Sequence, residues 1–471
     1  MSRAPVLAAI AVAVAFAVAL LSPSPALAHG LVGRADLPIP TWLFGWAAGA
    51  VLVISFVALA ALWRTPRLEG REPRRLVRVP RWIDVVCGVV GVALFAFLVF
   101  AGLTGAQAPT DNIVPTFVYV VFWVGLVVVS AVLGDVFRPF NPWRAVARGV
   151  SWVVRRAGMS VPPALDYPQR LGRWPAVAGL VAFGWLELVA PDGNDPSLLA
   201  TLALAYAAVQ WVGMATFGID RWTDRGDAFS VYFGLFARIA PLDVVDRHLV
   251  VRRPLSALAD LRWLPGTVAL LCAAIGITAF DGASEGAAWN AIAPELNQGF
   301  RDAGAGTAAA LQLAFSIGLV AAIAIAAAFY RLGVEGMRST ARMSAGELSR
   351  QFVHSLVPIA LAYVFAHYFS LLVFQGQALA YLVSDPLGDG SDLFATANSA
   401  IDYTVVSATT VWYVQVAALV IGHAAALAVA HDRALVVFEA SKRAVRSQYG
   451  MLVVMVGFTS LGLWLLSAAN A

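Results

Sequence analysis

The sequence predicts an all-α fold, a polytopic transmembrane helix bundle of about ten spans that follows a cleaved signal peptide. Three observations predict it. Hydrophobic residues make up 60% of the 471 and charged residues 13%, and mean hydropathy is +0.77, outside the range of soluble domains. Ten apolar stretches of near-spanning length follow an apolar leader. The basic residues fall in alternate gaps between those stretches. Arg64–Arg81, Arg138–Arg173, Gly218–Arg262, Arg331–Arg350 and His431–Gly450 together hold 29 of the 32 Arg and Lys residues. Arg34 and Arg301 alone fall on the other side. Such asymmetry places the basic gaps in the cytoplasm of an inner (plasma) membrane.

Residues Met1–Ala28 have the three parts of a secretory signal: Arg3, the apolar core Val6–Leu21, and a Pro-containing end closing on Ala26-Leu27-Ala28. Cleavage after Ala28 would start the mature chain at His29, whose amine and imidazole together suit copper or zinc. With the leader removed, both termini lie outside.

The expected spans are Trp42–Trp63, Ile83–Leu103, Thr116–Phe137, Trp174–Ala190 and Leu198–Phe217 in the first half. Trp263–Phe280, Thr307–Tyr330, Phe352–Phe374, Thr404–Ala430 and Met451–Ala468 complete the set, leaving residues 29–471 as one transmembrane domain. Trp42, Trp63, Trp82, Trp174 and Trp263 at span ends fit an interfacial aromatic belt. The stretch Ala228–Ala240 is aromatic-rich and too short to span, so it reads as an interfacial or re-entrant helix. Ala434–Val445 alternates apolar and basic residues and reads as a helix along the inner surface.

Several function classes are excluded. The net charge of +4 is spread over inner loops that meet lipid headgroups, so no nucleic-acid partner is expected. Neither GxxxxGK[ST] nor GxGxxG is present, which argues against an ATP-driven transporter in one chain. Cys87 and Cys272 lie inside apolar spans and form no thiolate metal motif.

Ionisable groups inside spans are costly and therefore informative. His354 and His431 fall near the inner interface, where they can be hydrated. At 1.5 Å per residue, His423 lies roughly 10 Å and His367 roughly 20 Å above that interface. Tyr363, His367 and Ser370 share one helix face. Glu187, Gln312, Gln375, Gln377, Asp402 and Tyr413 gather toward the outer half, Gln415 near the level of His367. Converging helices would make them an outward-opening polar pocket. His367 and His423 become candidate metal ligands with His29, and Glu187 and Asp402 candidate bases. The bland alternative is interhelical hydrogen bonding. His248, beside Asp246 and Arg247, reads as a solvated loop residue. Gly134–Arg144 (GDVFRPFNPWR) reads as an architectural turn, its prolines stopping the third span and Asp135 pairing with Arg138.

Four segments resemble one family: His29–Gly33 with Asp36–Pro40, Gly134–Arg144, AHYFSLLVFQGQ at Ala366–Gln377, and VQVAALVIGHAAALAVAHDRAL at Val414–Leu435. The chain resembles the polytopic bacterial membrane proteins called fenitrothion hydrolase over most of its length after the leader. The resemblance implies hydrolysis of an organophosphorothioate ester, a phosphoric triester hydrolase activity. The chain has no HxH, HExxH or GxSxG, so such a site would be assembled from separate helices. A water bound to a divalent metal such as zinc or copper would be its nucleophile, and a lipophilic ester would arrive from the bilayer. Two other readings stay open: a haem-binding or copper-handling redox protein, and a transporter or channel. The depth difference between His367 and His423 weakens the haem b version.

Overall fold

The computed structural model describes residues 41–70, 72–160, 163–338, 343–438 and 440–469. The proposed signal peptide and His29 lie outside them. Each of the ten predicted stretches is a helix. In chain order, α1 is Thr41–Leu62, α2 Arg81–Thr104, and α3 Ile113–Leu133. Then come α4 (Pro142–Arg156), α5 (Trp174–Leu188), α6 (Pro196–Phe217) and the short α7 (Ala228–Ala237). The second half has α8 (Thr267–Ser284), α9 (Ala287–Asp302), α10 (Thr307–Arg338) and α11 (Leu356–Phe374). It ends with α12 (Ala408–Val437) and α13 (Tyr449–Ala469).

Seven helices among the described residues are long and apolar enough to cross a membrane, which suits a multi-pass membrane protein. With 15 residues, α5 rises only about 22 Å at 1.5 Å per residue, short of a hydrocarbon core of about 30 Å.

Several boundaries differ from expectation for local reasons. The third span begins at Ile113, where Asn112 Oδ1 accepts from Val114 N at 3.0 Å, and ends at Leu133. Gly134 stops it with φ +93°, and a Cβ there would lie 2.5 Å from the Leu242 carbonyl oxygen; only glycine suits both demands. The eighth span starts at Leu356, because Ala345–Phe352 is a separate helix opened by a Ser344/Glu347 capping box. The sixth span starts late, after Gly266 at φ +86°, and runs on to Ser284. Asp281 is therefore inside a helix rather than in an outer loop, and most of that loop is the helix α9.

The aromatic segment is a helix packed inside the bundle: nine of the ten residues of α7 are buried. Its cap Asp227 is wholly buried and accepts six hydrogen bonds. Asp227 Oδ1 takes Tyr206 OH (2.8 Å), Phe229 N (3.2 Å) and Ser230 N (3.4 Å). Asp227 Oδ2 takes Asn141 Nδ2 (2.9 Å), Trp143 Nε1 (2.7 Å) and Ser230 Oγ (2.6 Å). The FNPW turn is thus the socket that holds α7. In it, Arg138 N donates to Asp135 Oδ1 at 3.2 Å, but the guanidinium pairs with Asp224 at 2.6 Å instead of Asp135.

Two expectations about the inner side are corrected. Ala434–Val445 is not one surface helix: α12 continues to Val437, a break follows, and Ser441–Ser447 is a new helix with Ala444 buried. A small sheet was also not foreseen. Antiparallel strands β1 (Arg74–Arg78), β2 (Leu242–Val245) and β3 (His248–Val251) lie in the order β1-β3-β2. His248 belongs to that hairpin, with Nδ1 2.9 Å from the Asp246 carbonyl. Its strands come from two basic gaps, and with short strands they escape detection by hydrophobic period.

Candidate functional site

The apolar periodicity that makes α8 and α11 membrane helices leaves few polar side chains, and two of these meet. His367 Nε2 lies 2.9 Å from Asp281 Oδ2, where the ring N–H donates to the carboxylate. Asp281 sits on the last turn of α8 and His367 in the middle of α11. Both keep about a quarter of their side-chain surface open, 23% and 26%, so the pair is reachable. With Nε2 engaged, Nδ1 is the basic nitrogen. Gly282 lies against it: a Cβ there would come within 3.2 Å of Nδ1 and 3.3 Å of Cε1.

The next residue extends the pair. Tyr368 is buried, its ring edge-on to His367 at 4.7 Å. Its hydroxyl donates to Glu187 Oε1 at 3.3 Å and lies within hydrogen-bonding reach of Asp281. Glu187, at the end of α5, is thereby linked to the His–Asp pair through Tyr368. Around it stand Trp123 and Tyr232, stacked at 4.9 Å and 16°, with Tyr232 close enough to feel the Glu187 charge. Trp123 belongs to a π-helical stretch, Phe117–Gly125, inside α3. A wider turn of this kind carries a stability cost and is found mostly at functional sites. Glu187 Oε2 and Tyr232 OH are buried with no hydrogen-bond partner among the described residues, while Trp123 Nε1 is within reach of the Tyr368 hydroxyl. Incompletely paired buried groups of this kind call for an explanation beyond packing.

Beneath the constellation the bundle is closed. Phe122 packs edge-on against Phe229 (4.7 Å) and Phe233 (5.3 Å), and Phe137 against Phe233 (5.2 Å). The buried α7 lies between the Gly134–Arg144 turn, which Gly234 adjoins at Asp135, and the constellation, which Tyr232 adjoins at Glu187. At that turn, burial pushes the Asp135 carboxyl up to about 6, partly offset by Arg138.

The sequence-derived candidates separate. The structure brings His367 and Glu187 together through Tyr368. Asp402 is elsewhere: exposed, it accepts from Thr404 N at 2.7 Å and Thr404 Oγ1 at 2.6 Å, while Gln377 ties its backbone. It stabilises a turn and leaves the outward-opening pocket without that member. Buried His423 has Nδ1 2.7 Å from the Leu419 carbonyl, its ring packed on Tyr363 and Phe458. Its other nitrogen is buried without a partner, yet no carboxylate or second imidazole is bonded to it. Among the described residues, no group of three or more His, Cys, Asp or Glu converges as a metal-binding set. His367 and His423 do not meet, each having its own partner, Asp281 for the one and the Leu419 carbonyl for the other. His29 lies outside the described residues.

His354 and His431 are not hydrated at an interface; both are buried. His431 Nε2 donates to the Trp63 carbonyl (3.0 Å) and Nδ1 accepts from Gln448 Nε2 (3.2 Å). The adjacent Asp432 accepts from Trp63 Nε1 (2.8 Å), Arg67 N (2.6 Å) and Leu68 N (3.1 Å). This HDR segment staples the loop after α1 to α12.

Sequence reasoning missed Asp281, Tyr368, Trp123 and Tyr232. Asp281 directly follows an 18-residue apolar run that seemed to finish at Phe280, and a carboxylate at a span end gives no sign of facing inward. Comparison with family models, curated proteins and solved structures finds no match.

Proposed function

We propose that this chain is a ten-span integral membrane protein of the inner membrane, with both mature termini outside, that uses an intramembrane acid–base site for hydrolysis. The Asp281–His367 pair carries this reading. Asp281 fixes the imidazole tautomer and stabilises the imidazolium, leaving Nδ1 to take a proton from water. The water oxygen bonds to the electrophilic centre of an ester, and the ester oxygen leaves as the alcohol or phenol. Tyr368, between Asp281 and Glu187, supplies the leaving oxygen with its proton, and the proton that His367 took from water restores the Tyr368 hydroxyl before the next turnover. Resemblance to the fenitrothion hydrolases suggests a lipophilic phosphorothioate triester as substrate. The half-open pair within apolar helices suits a substrate that partitions into the bilayer.

The test is nitrophenol release from a nitrophenyl dialkyl phosphorothioate by purified protein in lipid nanodiscs. His367→Gln and Asp281→Asn should each lower kcat by about 10²–10⁴-fold with the protein still folded. Unchanged rates in both variants would overturn the reading. A second reading, proton-coupled transport, is favoured by the unpartnered Glu187 Oε2, since a buried carboxylate suits a proton carrier. Absence of hydrolysis together with acidification coupled to solute uptake in proteoliposomes would select it.

A further inference from the structure

A cavity of about 270 Å³ lies between α8, α9, α10, α11 and α13. Its wall is apolar, with Ala279 and Ala283 of α8, Trp289 of α9, Ala322 of α10 and Tyr363 of α11 among the lining residues. Three features distinguish it from a packing defect.

It adjoins the acid–base site. Tyr363 is one helical turn from His367 on the same face of α11, and Ala279 is one turn before Gly282, which packs on His367. It also reaches the outer surface of the bundle, since Ile317 lines it and is 45% exposed. Leu313 and Val320, on the same helix, are exposed as well. A surface of that composition faces lipid. Finally, the wall is aromatic: Trp289, 6% exposed, lines it with Phe280, Tyr363 and Phe458. The Trp289 ring is held edge-on to Phe280 at 5.1 Å and to Phe315 at 5.3 Å, an aromatic wall suited to another ring.

We infer that this cavity is a binding site for an uncharged, apolar aromatic molecule admitted sideways from the bilayer. A charged ligand would find no counter-ion among the lining side chains. A lipid acyl chain would forgo the ring contacts that Phe280, Trp289, Tyr363 and Phe458 offer. The volume holds roughly one aromatic ring and a few further heavy atoms, judged against a dry cavity of about 150 Å³ that takes benzene. The inference deepens the acid–base reading, because it supplies the class of ligand and its route to His367. Binding is therefore measured apart from turnover.

An uncharged aryl azide carrying a butyl ester is the probe, photolysed with the full-length protein in nanodiscs and mapped by peptide mass spectrometry. Labelling should concentrate in 289–296 and 317–326, be competed by unlabelled phenyl butyrate, and resist competition by a carboxylate analogue. Ala322→Phe, which fills the cavity, should reduce labelling at least tenfold, and Ala322→Leu by a smaller factor. His367→Gln should leave labelling unchanged. Labelling spread evenly over lipid-facing helices, or retained in full by both Ala322 variants, would overturn the inference, as would phospholipid chains found there that the probe cannot displace. The mapping on unaltered protein stands even if a variant fails to fold. Specific labelling without ester hydrolysis would sink the enzyme reading and leave the cavity assignment intact; hydrolysis unaffected by Ala322→Phe, together with undiminished labelling, would do the reverse.

Discussion

Asp227 and Asp281 are both carboxylates enclosed by aromatic helices, and they behave as opposites. Asp227 accepts from six donors, more than the roughly four lone-pair positions a carboxylate offers singly. Nothing more can bind it, and its helix is fixed. Asp281 is bonded to an imidazole whose second nitrogen is open, and its neighbour Glu187 keeps one oxygen unpartnered. A fully satisfied buried polar network rigidifies a fold, whereas an incompletely satisfied one is costly and persists where chemistry requires it. The degree of satisfaction separates scaffold from site here together with access, since Asp227 is wholly buried and Asp281 keeps 23% of its side-chain surface open.

The comparison breaks most visibly at Asp227. Asp227→Ala orphans the buried donors of Asn141, Trp143 and Tyr206 at about 1–3 kcal/mol each, so folded, monodisperse protein should be nearly lost on fluorescence-detected size exclusion. Protein of unchanged yield and melting temperature would mean that the FNPW turn is held by other forces. Tyr368→Phe is the counterpart at the site: it removes one hydroxyl from the link to Glu187. It should lower kcat roughly 10–100-fold, within the range for one proton-transfer group, and move the melting temperature by only a few degrees. Equal hydrolysis by the two proteins would remove Tyr368 from the relay.

A smaller effect is expected at the Gly134–Arg144 turn. The Asp135 pKa is raised from 3.8 to about 6 by burial, so protonation favours the folded form. That contribution is fully present below about pH 4 and is lost as pH rises through 6. Melting temperature in detergent should therefore fall across this window from Asp135, and Asp135→Asn should flatten that part of the profile. An identical slope in the variant would show that other groups set it. Least of all should change with Asp402→Asn, since the residue caps an exposed turn; a hydrolysis rate altered more than about twofold would restore it to the site.

By itself the sequence determined the apolar helices and their order, because hydrophobic length is a property of local segments. It also singled out His367 and Glu187, since an ionisable group within an apolar run is conspicuous wherever the helix packs. It could not show that Asp281 turns toward His367, because α8 begins after Gly266, about one turn later than hydropathy alone suggests at 3.6 residues per turn, and runs on past Phe280 to Ser284. Nor could it separate Asp402 from Glu187, or His423 from His367, because residue type alone does not tell which neighbours a side chain meets. Those distinctions arise from which helix faces meet: α11 carries Tyr363 toward His423 and α13, and His367 toward α8. Contacts between residues distant in the chain decide partnership, and hydropathy averaged along one segment contains no information about them.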